Sequence, residues 1–297
     1  MYKNLKVDKE KCIKCGKCIG DCIAKCLVMD KDENIPCWAE QGEARCIKCQ
    51  HCFAICPTGA LSIHERKAEN SELVNEDYNS DEILRLIKSR RSYRKYKQEN
   101  LDEERMNKLK NMLKWVPTGV NNHRLHFSFV DDMRVMHDYR DYVNNKLTRF
   151  IEKAPKPFDG VKKKFGRYVK AILRGEDVIF RNAPHMLVVS TPLDAPCKDV
   201  DPIIALSYFE LYAQSLGVAT LWCGLAANCF KMFPEMSELL EIPEHYKMSY
   251  VMLFGPSDAK YTRTTQPDEV SIVSVKPKPK DFSIMQRIKR FIWNYSF

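Results

Sequence analysis

The runs Cys12-Ile13-Lys14-Cys15-Gly16-Lys17-Cys18-Ile19-Gly20-Asp21-Cys22 and Cys46-Ile47-Lys48-Cys49-Gln50-His51-Cys52-Phe53-Ala54-Ile55-Cys56-Pro57 repeat one spacing of cysteines, C-x2-C-x2-C-x3-C. Three thiolates spaced three apart can wrap one face of an iron–sulfur cubane, while a fourth, one residue further along, turns away towards a second cluster. The spacing therefore predicts two interleaved [4Fe–4S] sites, one held by Cys12, Cys15, Cys18 and Cys56 and the other by Cys46, Cys49, Cys52 and Cys22. Two four-cysteine zinc sites are the alternative, because thiolates serve both metals and geometry chooses between them. Zinc sites place their cysteine pairs typically about a dozen or more residues apart, whereas here four cysteines crowd into one short run, which favours clusters.

Outside these runs the 297 residues, 44% hydrophobic, suffice for one ordinary domain plus a small one. No stretch has the run of uncharged apolar residues that a spanning helix needs, and the charged start Met1 to Cys22 lacks a signal-peptide core. A cytoplasmic location is expected, where thirteen cysteines stay reduced and serve as ligands rather than disulfides. The net charge of +9 lies mostly beyond residue 64, since residues 1–64 hold ten Lys/Arg against eight Asp/Glu. No basic run is interleaved with aromatics, so nucleic acid is not an expected partner; an acidic electron carrier or a phosphate-bearing cofactor fits the charge equally well.

The polar, aperiodic stretch Glu65–Ser80 separates the cysteine-rich start from the remainder, giving an expected organisation of 1–64 as cluster domain, 65–80 as linker, 81–274 as main domain and 275–297 as tail. Ser80-Asp81-Glu82 reads as a helix start, with Ile83, Leu84 and Ile87 on one face. A helix from Asp102, with Met106, Leu109, Met112 and Leu113 at helical spacing, should end before Pro117. Strands are expected at His126–Val130, Met186–Ser190 and Tyr250–Phe254, a helix over Asp132–Glu152, and a central buried helix over Pro202–Leu216, which is apolar on almost every face. The main domain thus reads as α+β, with helices around a modest central sheet.

Cys56-Pro57-Thr58-Gly59-Ala60-Leu61 resembles the close of a bacterial-type ferredoxin motif, and that resemblance covers about Leu5 to Ile63. Cys22 departs from it in being followed by Ile23 rather than proline. Cys26, a rival for the same ligand position, falls where ferredoxins place a small apolar residue, so Cys22 is preferred and Cys26, like Cys37, reads as a buried or spare thiol.

In the main domain Arg90-Arg91-Ser92, with Arg94, offers guanidinium forks and a hydroxyl suited to a phosphate, although a solvated basic helix end explains the run as well. With five stretches in order, the chain resembles the nitroreductase family of FMN flavoproteins over about Ile83 to Thr265. Arg90-Arg91-Ser92-Tyr93-Arg94 is similar to the family's R-R-S-x-R run, Pro117-Thr118-Gly119-Val120-Asn121 to its P-S-x-x-N loop, and Gly217 to Gly224 to its G-L-G-x-x-W-x-G segment. Asn182-Ala183-Pro184 and Phe254-Gly255-Pro256 with Arg263 match in order and spacing. His123-Arg124-Leu125 replaces the usual Q-P-W, and Tyr261 stands where many members carry a second basic residue.

The resemblance implies that Arg90, Arg91, Ser92 and Arg263 hold the FMN phosphate, that Asn121 and Arg94 serve the ring with Pro117 and Thr118 also binding the cofactor, and that the backbone of Trp222, Cys223, Gly224 and Leu225 lies near flavin N5. Cys223, Cys197 and Cys229 read as small buried thiols, with no paired base to make a nucleophile. It also implies a homodimer with the flavin at its interface. The expected activity is an FMN-dependent reductase of nitroaromatics, quinones or activated alkenes, acting on a small-molecule acceptor and exchanging electrons with its own two clusters; an electron carrier or redox sensor without turnover is the alternative. None of the eleven glycines forms a G-x-G-x-x-G module. NAD(P)H bound over the flavin, or an external ferredoxin or flavodoxin, would be the donor.

The tail begins with an extended Lys276-Pro277-Lys278-Pro279-Lys280 run. Phe282, Met285, Ile288 and Ile292 then share a helical face, with Arg287, Lys289 and Arg290 elsewhere, a basic amphipathic helix expected to dock on a second subunit rather than on a membrane.

Overall fold

The computed structural model describes residues 4–153, 159–277 and 283–295. By its contacts the chain divides between Arg263 and Thr264, so the cysteine-rich region belongs to the same compact unit as the main domain. That region is built from β1 (Leu5–Val7), α1 (Lys17–Gly20), β2 (Leu27–Met29), β3 (Pro36–Trp38), α2 (Gly42–Arg45), α3 (His51–Ala54) and β4 (Leu61–Ile63). β1 pairs antiparallel with β4 and β2 with β3. A small core of Leu5, Leu27, Trp38, Phe53, Leu61 and Ile63 is shared with Cys18, Cys26 and Cys52, so the thiols are part of what holds the region together.

The main domain follows as α4 (Ser80–Ser89), α5 (Glu103–Met112), β5 (His126–Val130), α6 (Met133–Lys153), α7 (Asp159–Ile172), β6 (His185–Pro192), α8 (Asp201–Ser215), β7 (Ala219–Trp222), α9 (Gly224–Met232), α10 (Met236–Leu239) and β8 (Tyr246–Gly255). Asn79 caps α4 by accepting from the amides of Asp81 and Glu82, and Asp102 caps α5 by accepting from Arg105 at 2.9 Å. Before Pro117 the backbone turns extended at Val116, which ends the helical run.

The sheet runs in the order β5-β6-β8-β7, with every pairing antiparallel. All eight residues of β6 are buried because helices cover both faces. On one side Met186, Val188, Val251 and Leu253 pack against Met136, Val143, Phe165, Val169 and Phe230. On the other Leu187, Val189, Met252 and Phe254 pack against Met106, Leu109, Leu206 and Phe209. Each such fully buried side chain contributes roughly 1.5–3 kcal/mol.

The expected helix over Pro202–Leu216 forms, but it is buried along one side only. Ala205, Leu206, Phe209 and Ala213 face the core, while Ile203, Tyr208 and Tyr212 stay 36–51% exposed. α4 likewise has no buried residue, and its Ile83, Leu84 and Ile87 are 45–51% exposed. These two helices touch each other.

His185 begins β6 fully buried, and its Nε2 accepts from the Leu101 amide at 2.8 Å. Burial pushes the imidazole down to about 4, although Asp131 and Asp132 oppose the shift. Between that value and the ordinary value near 6.5 the unfolded chain binds a proton that the folded chain excludes, so stability falls as pH drops through this window. The loss is up to roughly 3 kcal/mol. Urea midpoints should therefore decline more steeply from pH 7 to pH 5 in the natural protein than in His185→Asn; equal slopes would remove His185 as the cause.

The separate unit Thr264–Phe297 contains α11 (Ile284–Tyr295), on which Met285 and Ile288 are exposed. Lys278, Pro279, Lys280 and Phe282 of the expected tail lie outside the described residues. Among the described residues no helix is long and apolar enough to cross a membrane.

Candidate metal centres and flavin-binding residues

The two cysteine runs fold alike. Lys14 and Lys48 sit at φ +57° and +56°, and Gly16 and Gln50 at +69° and +64°, so each run turns through the same pair of left-handed residues. Gln50 tolerates at some cost a conformation that glycine adopts freely. These turns bring Cys12, Cys15, Cys18 and Cys56 around one small pocket. Cys22, Cys46, Cys49 and Cys52 surround a second, which Cys26 also lines. The thiols ring a space rather than meeting at a point, and among the described residues no three His, Cys, Asp or Glu side chains converge on a single-ion site. A cubane carrying one thiolate at each iron fits a ring of this kind, with the fourth cysteine crossing over from the other run.

Backbone geometry separates Cys22 from Cys26. The Ala60 amide donates to Cys56 Sγ at 3.3 Å, and the Cys26 amide donates to Cys22 Sγ at 3.2 Å. In this internal repeat Cys22 thus corresponds to Cys56, and Cys26 to the buried Ala60. Burial pushes the Cys52 thiol up to about 12, so metal binding must displace a proton at that buried position. Burial pushes Cys26 up to about 11, in keeping with a packed thiol. Cys37 is half-buried on β3 and lines neither pocket.

The basic run lies at the sheet edge. Ser92 forms a parallel bridge with Thr220, and the Tyr93 amide donates to the Thr220 carbonyl at 2.9 Å, so Arg90–Arg94 extends the sheet beside β7. Arg91 donates to the carbonyls of Arg90 and Arg263, at 3.1 and 3.3 Å, and stacks on Tyr261 with its Cζ 5.9 Å from the ring centre. The fold therefore joins Arg90-Arg91-Ser92 to the segment of Arg263, 172 positions downstream. Arg94 donates to the Ser92 carbonyl. Of these four guanidiniums, Arg90 alone has a carboxylate partner among the described residues. Unbalanced positive charge beside a serine hydroxyl and the buried, unpartnered Thr220 hydroxyl fits a phosphate.

Arg90's partner, Glu210, was not singled out from the sequence. It is the lone carboxylate in the apolar run of α8, and such a residue demands a buried partner. Its Oε1 lies 3.3 Å from Arg90 Nη1, and its Oε2 accepts from Trp222 Nε1 at 3.0 Å. One buried carboxylate thus orients both the start of the basic run and the indole next to Cys223. Glu210→Ala should cost about 2–3 kcal/mol, since charge-assisted bonds are lost and two donors are stranded. Glu210→Gln should recover part of it, as thermal midpoints would show.

After β7, Cys223 caps α9: its Sγ accepts from the Ala226 amide and donates to the Ile179 carbonyl at 3.2 Å. Burial pushes this thiol up to about 11 and Cys229 up to about 12, so both are protonated packing groups. Trp222 packs edge-on to Tyr250, whose hydroxyl would lie 3.1 Å from a Cβ added at Gly224. Leu225 is half-buried behind it.

The Pro117–Asn121 loop lies elsewhere. The Gly119 amide donates to both oxygens of the buried Asp201, at 3.0 and 3.1 Å, which pins the loop to the start of α8. A Cβ at Gly119 would come within 2.3 Å of Cys197 Sγ, so a larger residue there would have to displace the Cys197 side chain. Asp201 and Glu210 are nine residues apart, about 13 Å along the helix, so this chain holds the two parts of the implied flavin set more than two turns apart. Val120, Asn121 and His123 all have positive φ, costing on the order of 1–3 kcal/mol each. Thr118 Oγ1 accepts from the His123 amide, and Asn121 points its amide at Ile47. A groove of about 690 Å³ runs from Thr118 and His123 along β5 past Lys110 and Lys114, but it includes none of the basic run and is not assigned to the flavin.

A model of the nitroreductase family matches residues 87–256. An uncharacterised ferredoxin from Methanocaldococcus jannaschii is 39% identical over 66 residues, 22% of this chain and 84% of that protein. A polyferredoxin from Methanothermobacter thermautotrophicus is 37% identical over 59 residues, 20% of this chain and only 13% of that longer protein. Among solved structures, a nitroreductase with bound FMN from Desulfitobacterium hafniense aligns with a TM-score of 0.53 at 24% identity, covering 66% of this chain and 98% of the other. One from Bacteroides fragilis, also with bound FMN, gives 0.51 at 20% identity, covering 67% and 100%. The shared fold, the match across 87–256 and the ferredoxin-like start agree with the motifs in the sequence: this chain belongs to the nitroreductase family and carries a ferredoxin-like N-terminal region.

Proposed function

We propose that the chain is a cytoplasmic FMN-dependent oxidoreductase that reduces nitroaromatics, quinones or activated alkenes and exchanges electrons with two [4Fe–4S] clusters of its own. The observation that carries this reading is the sorting of the eight motif cysteines into two pockets, four to each with Cys26 beside the second, in a chain whose sheet edge carries Arg90, Arg91 and Ser92. When bound, the clusters supply single electrons and the flavin supplies hydride chemistry at N5. Cys12, Cys15, Cys18 and Cys56 hold one cluster, and Cys22, Cys46, Cys49 and Cys52 the other. Arg90, Arg91, Ser92 and Arg263 hold the flavin phosphate, and the backbone from Trp222 to Leu225 lines the ring.

The reading includes a homodimer. The exposed apolar side chains of α4 and α8, two helices that touch, support a second copy packed there. The electron donor is NAD(P)H or a reduced ferredoxin or flavodoxin. Purified protein should show a flavin band beside broad cluster absorbance, sediment as a dimer, and turn over a nitro compound or quinone under anaerobic conditions. Both cofactors without turnover of any acceptor would leave a carrier or sensor; a flavin-bearing monomer would remove the shared site.

A further inference from the structure

We infer that the Cys46–Cys49 loop, and not its repeat Cys12–Cys15, is where the ferredoxin-like region docks on the main domain, making the site of Cys22, Cys46, Cys49 and Cys52 the inner one. The inference rests on the two-cluster, one-flavin reading above and adds the direction of the wiring.

Asn121 Nδ2 donates to the Ile47 carbonyl at 3.1 Å, and Ile47 lies between the ligands Cys46 and Cys49. The other end of the same amide, Oδ1, is 2.8 Å from His123 Nε2, so the Asn121 side chain is held at both ends. Its loop is rigidly based, through Gly119 on Asp201 and through His123 on Thr118. The repeat supplies an internal comparison. Both runs share their left-handed turns, so their intrinsic exposure should be equal. Yet Ile13 is 62% exposed and Cys15 is exposed, whereas Ile47 and Cys49 are partly covered. The Asn121 loop lies against the second run, as does His64 of the ferredoxin-like region beside Cys46, and nothing equivalent to the Asn121 contact is seen at the first run among the described residues.

The consequence is an order. Electron transfer weakens steeply with distance, so the covered run is the outlet, and the open run around Cys15, flanked by exposed Lys14 and Lys17, is the inlet. One electron at a time crosses the Ile47–Asn121 contact, lost by the ferredoxin-like region and gained by the main domain. Two crossings and two protons from solvent complete each two-electron reduction of a quinone, nitro group or activated alkene there, with the electrons supplied by a low-potential one-electron donor outside the chain.

The test uses the full-length protein with its iron, sulfide and flavin counted. In hydrogen–deuterium exchange, Asn121→Ala should speed exchange of amides 46–50 by about fivefold, the equivalent of one ordinary hydrogen bond, and leave 12–16 unchanged. No change at 46–50, or equal change in both runs, overturns the inference. A second measurement follows flavin bleaching after mixing with reduced methyl viologen: the loss of rate should be larger in Cys49→Ala than in Cys15→Ala. Equal losses or the reverse order also overturn it, and this arm decides if Asn121→Ala does not fold. Absence of iron, sulfide or flavin from the purified natural protein would remove the underlying reading before either measurement is made.

Discussion

Replacing Cys22 with alanine is expected to remove roughly half of the bound iron and acid-labile sulfide, about four of eight of each, while Cys26→Ala leaves both in place. The two cysteines line the same pocket, so proximity alone does not separate them. The repeat does. The Cys26 amide donates to Cys22 Sγ as the Ala60 amide donates to Cys56 Sγ, so Cys22 holds the position that the ligand Cys56 holds in the other run. Cys26 itself is 2% exposed, in a small core where an alanine serves in the other half. Metal analysis of the two variants decides the matter. Loss with Cys26→Ala and retention with Cys22→Ala would exchange the ligands, and stoichiometric zinc without sulfide in the natural protein would remove the clusters altogether.

What the sequence made legible follows from the range of each interaction. The cysteine spacing encodes a local loop, and His126–Val130 appears as a strand with the bounds its alternation implies. Helix starts at Ser80 and Asp102 could be read because a cap and its amides are neighbours in the chain, although the cap of the first is Asn79. Pro202–Leu216 was misread in one respect. Its apolar composition predicts burial all round, whereas Ile203, Tyr208 and Tyr212 are exposed, because hydrophobicity alone does not tell which face of a helix meets the core. Glu210 left a signal in the form of a lone acid in an apolar helix, but its partners Arg90 and Trp222 are joined to it only by the fold. The Ile47–Asn121 contact, 74 positions apart, left none.

The same contrast bears on the basic run, where the sequence alone could not choose between a phosphate site and a solvated helix end. Arg91→Ala combined with Arg263→Ala is expected to weaken FMN binding by about 3 kcal/mol or more, over a hundredfold, since charge-assisted bonds to phosphate are worth roughly 1.5–3 kcal/mol each. The larger share should belong to Arg91, which is half-buried and held in place by the carbonyls of Arg90 and Arg263 and by the ring of Tyr261. A guanidinium fixed in this way loses little freedom on binding an anion. Arg263 is exposed, so solvent and salt screen its contribution. The two effects should not add fully, because Arg91 leans on the backbone of Arg263. Titrating flavin-free protein with FMN at rising ionic strength separates a lost phosphate contact from a damaged fold: affinity in the natural protein should fall with salt, and in the double variant it should be lower with a shallower salt dependence. A double variant that is folded and binds FMN with natural affinity would place the phosphate elsewhere and leave Arg90-Arg91-Ser92 as a solvated edge of the sheet.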